Sequence, residues 1–132
     1  MAIFLHSVSN GCIPPFEYLP CGSDLPKAGL AMKLTGGKLE KATGATKPSH
    51  ICKREGESAN GSYTGELIPA VAVDPGITFG TTNSAAFTAV KAGDKVQLSA
   101  DGLSVSATTT SGVAEVTGFS GTDIGSYVKI KF

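Results

Sequence analysis

Lys95-Val96-Gln97-Leu98-Ser99, Leu103-Ser104-Val105-Ser106-Ala107, Val113-Ala114-Glu115-Val116-Thr117 and Tyr127-Val128-Lys129-Ile130-Lys131-Phe132 decide the fold class of this chain. Each run alternates apolar and polar residues, the period of a half-buried strand and not of a helix. Ala100-Asp101-Gly102 joins the first two runs, and Asp-Gly accepts the positive φ that tight hairpins demand. Ser111-Gly112 makes the next turn. In the final run Val128, Ile130 and Phe132 are expected on a core face, with Lys129 and Lys131 in water. Residues 91–132 therefore read as a β-meander with no cluster equipped for chemistry, which points to binding or assembly.

Upstream the same grammar continues. Leu30, Met32 and Leu34 alternate with Lys33 and Thr35, Gly36-Gly37 turns, and Lys38-Leu39-Glu40-Lys41-Ala42 returns as a hairpin. Ser49-His50-Ile51-Cys52-Lys53 is a further strand, followed by a polar loop over 54–62 with its tip near Asn60-Gly61. Asp74-Pro75-Gly76 fits a turn with Pro at its second position, leading into the strand Ile77-Thr78-Phe79-Gly80-Thr81. Residues 66–73 depart from the pattern, because Ile68, Ala70 and Ala72 lie on one face and Leu67, Pro69, Val71 and Val73 on the other. A strand apolar on both faces is central between two layers or covered by a second subunit. Pro69 belongs at a sheet edge or bulge, which favours the subunit contact through Ile68, Ala70 and Ala72.

Residues 1–27 read differently. Four of the seven prolines (Pro14, Pro15, Pro20 and Pro26) fall here, and proline resists helix interiors and central strands. Yet Phe4, Leu5, Ile13, Phe16, Tyr18 and Leu19 are too apolar for a solvated tail, since each gains roughly 1.5–3 kcal/mol on full burial. The expectation is an extended proline-rich N-terminal arm over 1–27 that docks these six side chains on a partner, followed by a β domain over 28–132. Removing residues 2–20 should then leave the domain folded. The fold class is all-β: a single compact barrel or sandwich of short antiparallel strands carrying the arm. Its core is expected from Leu34, Leu39, Val71, Val73, Phe79, Val96, Leu98, Val105, Val116, Val128 and Ile130.

At 132 residues the chain is long enough to bury one core without disulfides. Eleven basic residues balance eleven acidic ones, and the signs are mixed along the chain, so no basic stripe favours nucleic acid. No segment approaches a membrane span, and the apolar start Met1-Ala2-Ile3-Phe4-Leu5 is too short and unflanked for a secretory signal. Cys12, Cys21 and Cys52 are an odd set, read as free thiols in a reducing cytoplasm.

The candidates for chemistry are weak. His6, Cys12, Cys21, His50 and Cys52 are metal-ligand types, but Cys12 and Cys21 are too far apart for the close pairs of structural zinc sites. Asp94, Asp101 and Asp123 sit in turn contexts, where Asp bonds local amides. The Gly-rich stretch 118–125 lacks the Gly-Lys-Ser/Thr ending of a phosphate loop. Asn60-Gly61-Ser62 reads as a turn, not a glycosylation site. No nucleophile–base signature appears. The expectation is a protein that is not an enzyme and needs no cofactor or metal.

One resemblance adds to this. Phe16-Glu17-Tyr18-Leu19-Pro20, Pro26-Lys27-Ala28-Gly29-Leu30-Ala31-Met32-Lys33-Leu34, Gly37-Lys38-Leu39 and Ala42-Thr43-Gly44 open the matching blocks. Val71-Ala72-Val73-Asp74-Pro75-Gly76-Ile77-Thr78-Phe79, Gly93-Asp94-Lys95-Val96, Asp101-Gly102-Leu103, residues 108–116 and Gly125-Ser126-Tyr127-Val128-Lys129-Ile130-Lys131-Phe132 complete them. In this order the blocks resemble head-decoration, or capsid-cement, proteins of tailed bacteriophages and prophages. The resemblance implies a non-enzymatic virion protein, made in the bacterial cytoplasm, that binds the outside of a shell of major capsid protein. It also implies a homo-oligomer, often a trimer at local threefold positions, with no nucleic-acid or membrane partner. The three cysteines belong to no motif of that family. The competing class is a small β-rich module binding a carbohydrate or peptide in a larger assembly; the lack of Trp weakens its carbohydrate form.

Overall fold

The computed structural model describes residues 2–9, 11, 14–24, 26–53 and 65–132. These residues form ten short strands and no helix. The first sheet contains β1 (Phe4–Val8), β7 (Ile77–Thr82), β10 (Tyr127–Lys131), β9 (Ala114–Phe119) and β8 (Lys95–Val96), in that spatial order. The second contains β2 (Glu17–Pro20), β6 (Leu67–Ala72), β5 (His50–Cys52), β3 (Ala31–Thr35) and β4 (Lys38–Lys41), again in spatial order. Every strand pairing is antiparallel. The ladders do not close into a barrel, and the arrangement is that of two sheets sharing a core.

Local chemistry explains the turns. Gly36 and Gly37 both have positive φ (57° and 81°), so Thr35 and Lys38 pair across a two-residue hairpin that non-glycine residues would strain. At the crossing between sheets, Ile77 N–H donates to the Asp74 carbonyl at 3.0 Å, and Gly76 N–H donates to Asp74 Oδ1 at 2.7 Å. The sequence places a turn there, and Pro75 sits at its second position. The turn at 99–102 also forms, with Gly102 N–H donating to the Ser99 carbonyl, but the expected strand over 103–107 is reduced to an isolated bridge between Leu98 and Val105, and the run before it is a strand only over Lys95–Val96.

The main core lies between the sheets. Ala31, Ile51 and Val71 from the second sheet pack with Phe79, Val96, Ala114, Val116, Val128 and Ile130 from the first. Phe87 closes one side, stacked edge-on against Phe119 with ring centroids 5.4 Å apart. Of the expected core, only Leu34 is exposed and Val73 is half-buried. Leu34 lies beside the Gly36-Gly37 turn, where β3 projects past β5, so alternation continues after its cover has ended.

A second core, not anticipated from the sequence, gathers Cys21, Leu30, Met32, Leu39, Cys52, Ile68 and Ala70 on the other face of the second sheet. The chain beyond β2 encloses it. Cys21 N–H donates to the Glu66 carbonyl at 2.7 Å, and Gly22 N–H donates to the Leu39 carbonyl at 2.8 Å, so residues 21–22 bridge from β6 to β4. Asp24 Oδ2 then accepts the Lys41 N–H at 2.9 Å. A Cβ at Gly22 would displace the Glu40 carboxylate, the flexible end of that side chain.

Two expectations change as a result. Ile68 and Ala70, expected at a subunit contact, are buried in the chain's own second core, while Ala72 is half-buried opposite His50. Pro69 sits in a strand flanked by β2 and β5, not at an edge. It is tolerated because its carbonyl side meets Lys53, just past the end of the three-residue β5. The missing donor therefore removes no bond from the ladder's centre. The described part of the expected arm is likewise two edge strands, β1 on β7 and β2 on β6, with Ile3 in the main core. Its prolines do not oppose this, since Pro14 and Pro15 precede β2 and Pro20 ends it.

Candidate functional site: the N-terminal edge strands

Phe4 on β1, Phe16 and Tyr18 at β2 and Leu67 at the start of β6 are exposed apolar side chains, as are Leu34 and Ile124 elsewhere. On β2, Tyr18 (62% exposed) pairs opposite Pro69, and Leu67 (56%) lies opposite Pro20. The two-residue period puts Phe16 (50%), Tyr18 and Leu67 on one face. Lys53 Nζ lies 5.8 Å from the Phe16 ring centroid, a cation–π distance that leaves the outer side of the ring open. The alternate residues turn inward: Leu19 packs on the second core, and Glu17 reaches His50.

On β1, Phe4 is exposed and Leu5 packs against the main core. A register shift between Leu5 and Ser7 re-aims the strand. Phe4 and His6 both lean towards Tyr127, with ring centroids 5.9 and 6.3 Å away. Gly80 forms the floor beneath them, where a Cβ would stand 2.6 Å from Phe4 Cζ. The five described residues of the six expected to dock together are thus divided between the edges of two sheets. Ile13 lies outside the described residues, as do Cys12 and the loop with Asn60-Gly61.

The polar groups are organised as braces. His50 Nε2 is 2.6 Å from Glu17 Oε2, and its Nδ1 is 2.9 Å from Ser49 Oγ. Ser49 Oγ also accepts the Leu34 N–H at 2.9 Å. Every group in this chain is satisfied when Nε2 carries the proton and Nδ1 accepts from Ser49. Serine, histidine and glutamate in one line resemble a nucleophile relay. However, the Leu34 N–H spends itself on the nucleophile and not on a place where an oxyanion would form. The chain works as a clamp joining β2 to β5. A buried His on an otherwise apolar strand is the sequence signal that a partner had to exist.

Asp101 has the turn role that its Asp-Gly context predicts. Burial alone would raise its carboxyl, but bonds from Ser99 Oγ and Leu103 N–H outweigh this and hold it below the usual range. Asp94 Oδ2 accepts the Lys91 N–H at 2.9 Å. Cys21 and Cys52 form no disulfide, and Cys21 Sγ donates to the Asp24 carbonyl at 3.2 Å. Burial pushes the Cys21 thiol up to about 11, with Glu40, Cys52, Glu66 and Asp24 adding to the effect. Among the described residues no three His, Cys, Asp or Glu side chains gather as a metal site, and no helix is long and apolar enough to cross a membrane.

Compared with known families, curated proteins and solved structures, the chain matches none.

Proposed function

We propose that this chain is a non-enzymatic structural protein of a tailed-bacteriophage head that binds the outer surface of the capsid shell and stabilises it. The observation that carries the reading is the exposure of Phe16, Tyr18 and Leu67 on one face of the β2–β6 pair, with Phe4 on the other N-terminal edge. Aromatic side chains on a rigid strand lose little entropy on docking and supply most of the energy of small interfaces. A shell offers many equivalent sites, so a homo-oligomer holding several patches at once gains avidity from modest contacts. Assembly would follow synthesis in the bacterial cytoplasm and leave the protein on the virion surface, with the major capsid protein as its partner.

Co-expression with the major capsid protein of the same genome tests the reading. The chain is expected to co-sediment with assembled shells and to raise their disruption temperature. A Phe16→Ser, Tyr18→Ser double variant should keep its fold and lose the association. Shells that sediment without the wild-type protein would refute the proposal.

A second reading, a β-rich module binding a carbohydrate or peptide, draws on the Phe4–His6–Tyr127 rings above Gly80. Saturable glycan binding abolished by Tyr127→Ala would favour it.

A further inference from the structure

At the end of the sandwich two adjoining hollows, of about 250 and 470 Å³, share Lys47 and Phe132. The first also holds Lys95, Lys131 and Glu115, and the second holds Lys33, Leu34 and Val73. Four of the ten lysines in a chain of zero net charge therefore face one groove. Glu115 stands opposite both Lys95 and Lys131 in the ladder, yet none of the four lysines has a carboxylate within 4.0 Å. The nearby Asp74 carboxylate bonds Gly76 N–H. Glu40 stands opposite Lys33 in its ladder but bonds Ser23, so among the side chains that line the groove itself the lysines outnumber the one carboxylate, and low-dielectric walls concentrate such a field. The floor is apolar: Leu34 is 41% exposed, and Val73 and Phe132 are half-buried.

We infer that this groove is a docking site for an acidic segment of a partner protein, with an apolar side chain seated on Leu34, Val73 and Phe132 between the lysines. Charge complementarity selects the occupant. A neutral apolar strand would leave four ammonium groups desolvated and unpaired, whereas carboxylates spaced along an extended chain meet them. An acidic stretch without an apolar residue would leave the floor uncovered. The inference stands independently of the capsid reading, because it concerns a different surface and any protein with such a segment fits it.

Fluorescence anisotropy tests it with the full chain and a labelled synthetic peptide in which Asp and Glu flank one Phe. Saturable binding that weakens as salt rises is expected, since exposed charges are screened within a Debye length of about 10 Å at 0.1 M salt. A Lys47→Glu, Lys131→Glu double variant should weaken it by about tenfold or more, the scale of losing close charge pairs. Lys33→Gln with Lys95→Gln, at exposed positions, checks the same charges should the first variant fail to fold. Leu34→Ser should weaken the Phe-containing peptide and not one with Ser in its place. Absence of binding, or binding indifferent to both lysine pairs, would overturn the inference. Equal affinity for a single-stranded oligonucleotide of the same charge would overturn it in favour of a general polyanion surface.

Discussion

The first sheet buries one face and the second buries both, and this contrast organises the molecule. On β9 and β10 the apolar residues Ala114, Val116, Val128 and Ile130 point into the main core, while Glu115, Lys129 and Lys131 point outward. On β3, β5 and β6 the alternation is between two interiors. Ala31, Ile51 and Val71 meet the first sheet, while Met32, Cys52, Ile68 and Ala70 meet the second core. A strand that is apolar on both faces therefore does not by itself call for a second subunit. Here a few residues of the same chain, 21–24, fold across and provide the cover.

The most severe way to break the contrast is to remove residues 2–20. That deletion takes both N-terminal edge strands, Ile3 from the main core and Leu19 from the margin of the second. The structure predicts loss of the cooperative thermal transition, the opposite of what a detachable arm predicts; circular dichroism on heating decides. An intact transition would mean that the two edge strands contribute little to the fold.

Next in size are two truncations, one in each core. Phe79→Ala should cost about 3–5 kcal/mol and Ile68→Ala about 2–5 kcal/mol, by lost burial plus cavity. Both belong to fully buried side chains. Chemical denaturation measures them. If Ile68→Ala left stability unchanged but altered the oligomeric state, the second core would be an interface after all.

Smaller effects probe the second core through its thiol. The Cys21 thiol, at about 11 in the fold against an ordinary 9.0, binds its proton more tightly folded than unfolded. Its contribution is fully present below pH 9.0 and falls away as pH rises towards 11, where the unfolded chain ionises first. A Cys21→Ser variant should lack this alkaline decline, and native Cys21 should alkylate slowly near pH 8. Smallest is Glu17→Gln at the clamp between β2 and β5. Glu17 is half exposed, so water competes for its hydrogen bond with His50, which is worth about 1 kcal/mol. A larger loss would show that the clamp, and not the ladder, holds β2 in place.

Several levels of the structure could be read from the residues. Period-two alternation identified β7, β8, β9 and β10 of the first sheet but not β1, and Gly36-Gly37, Asp74-Pro75-Gly76 and Asp101-Gly102 marked real turns. The apolar side chains of residues 4–19 read as one docking set, but Phe4, Phe16 and Tyr18 are exposed while Leu5 and Leu19 pack on the chain's own cores. The Glu17–His50 clamp was hidden, because its partners stand 33 residues apart and only strand pairing aligns them. The basic groove was hidden for the same reason. Lys33, Lys47, Lys95 and Lys131 are scattered singly along a chain of balanced charge.

By itself the sequence determined that this protein is all-β, where its chain turns, and which side chains share a strand face, since these are properties of neighbouring residues and backbone sterics. Only the tertiary structure decided what each face meets. Whether Ile68 finds another subunit or Leu30 and Met32, and whether residues 4–8 and 17–20 hang free or complete two sheets, depends on contacts between distant residues. Those contacts compete in free energy with many alternatives that have the same local pattern.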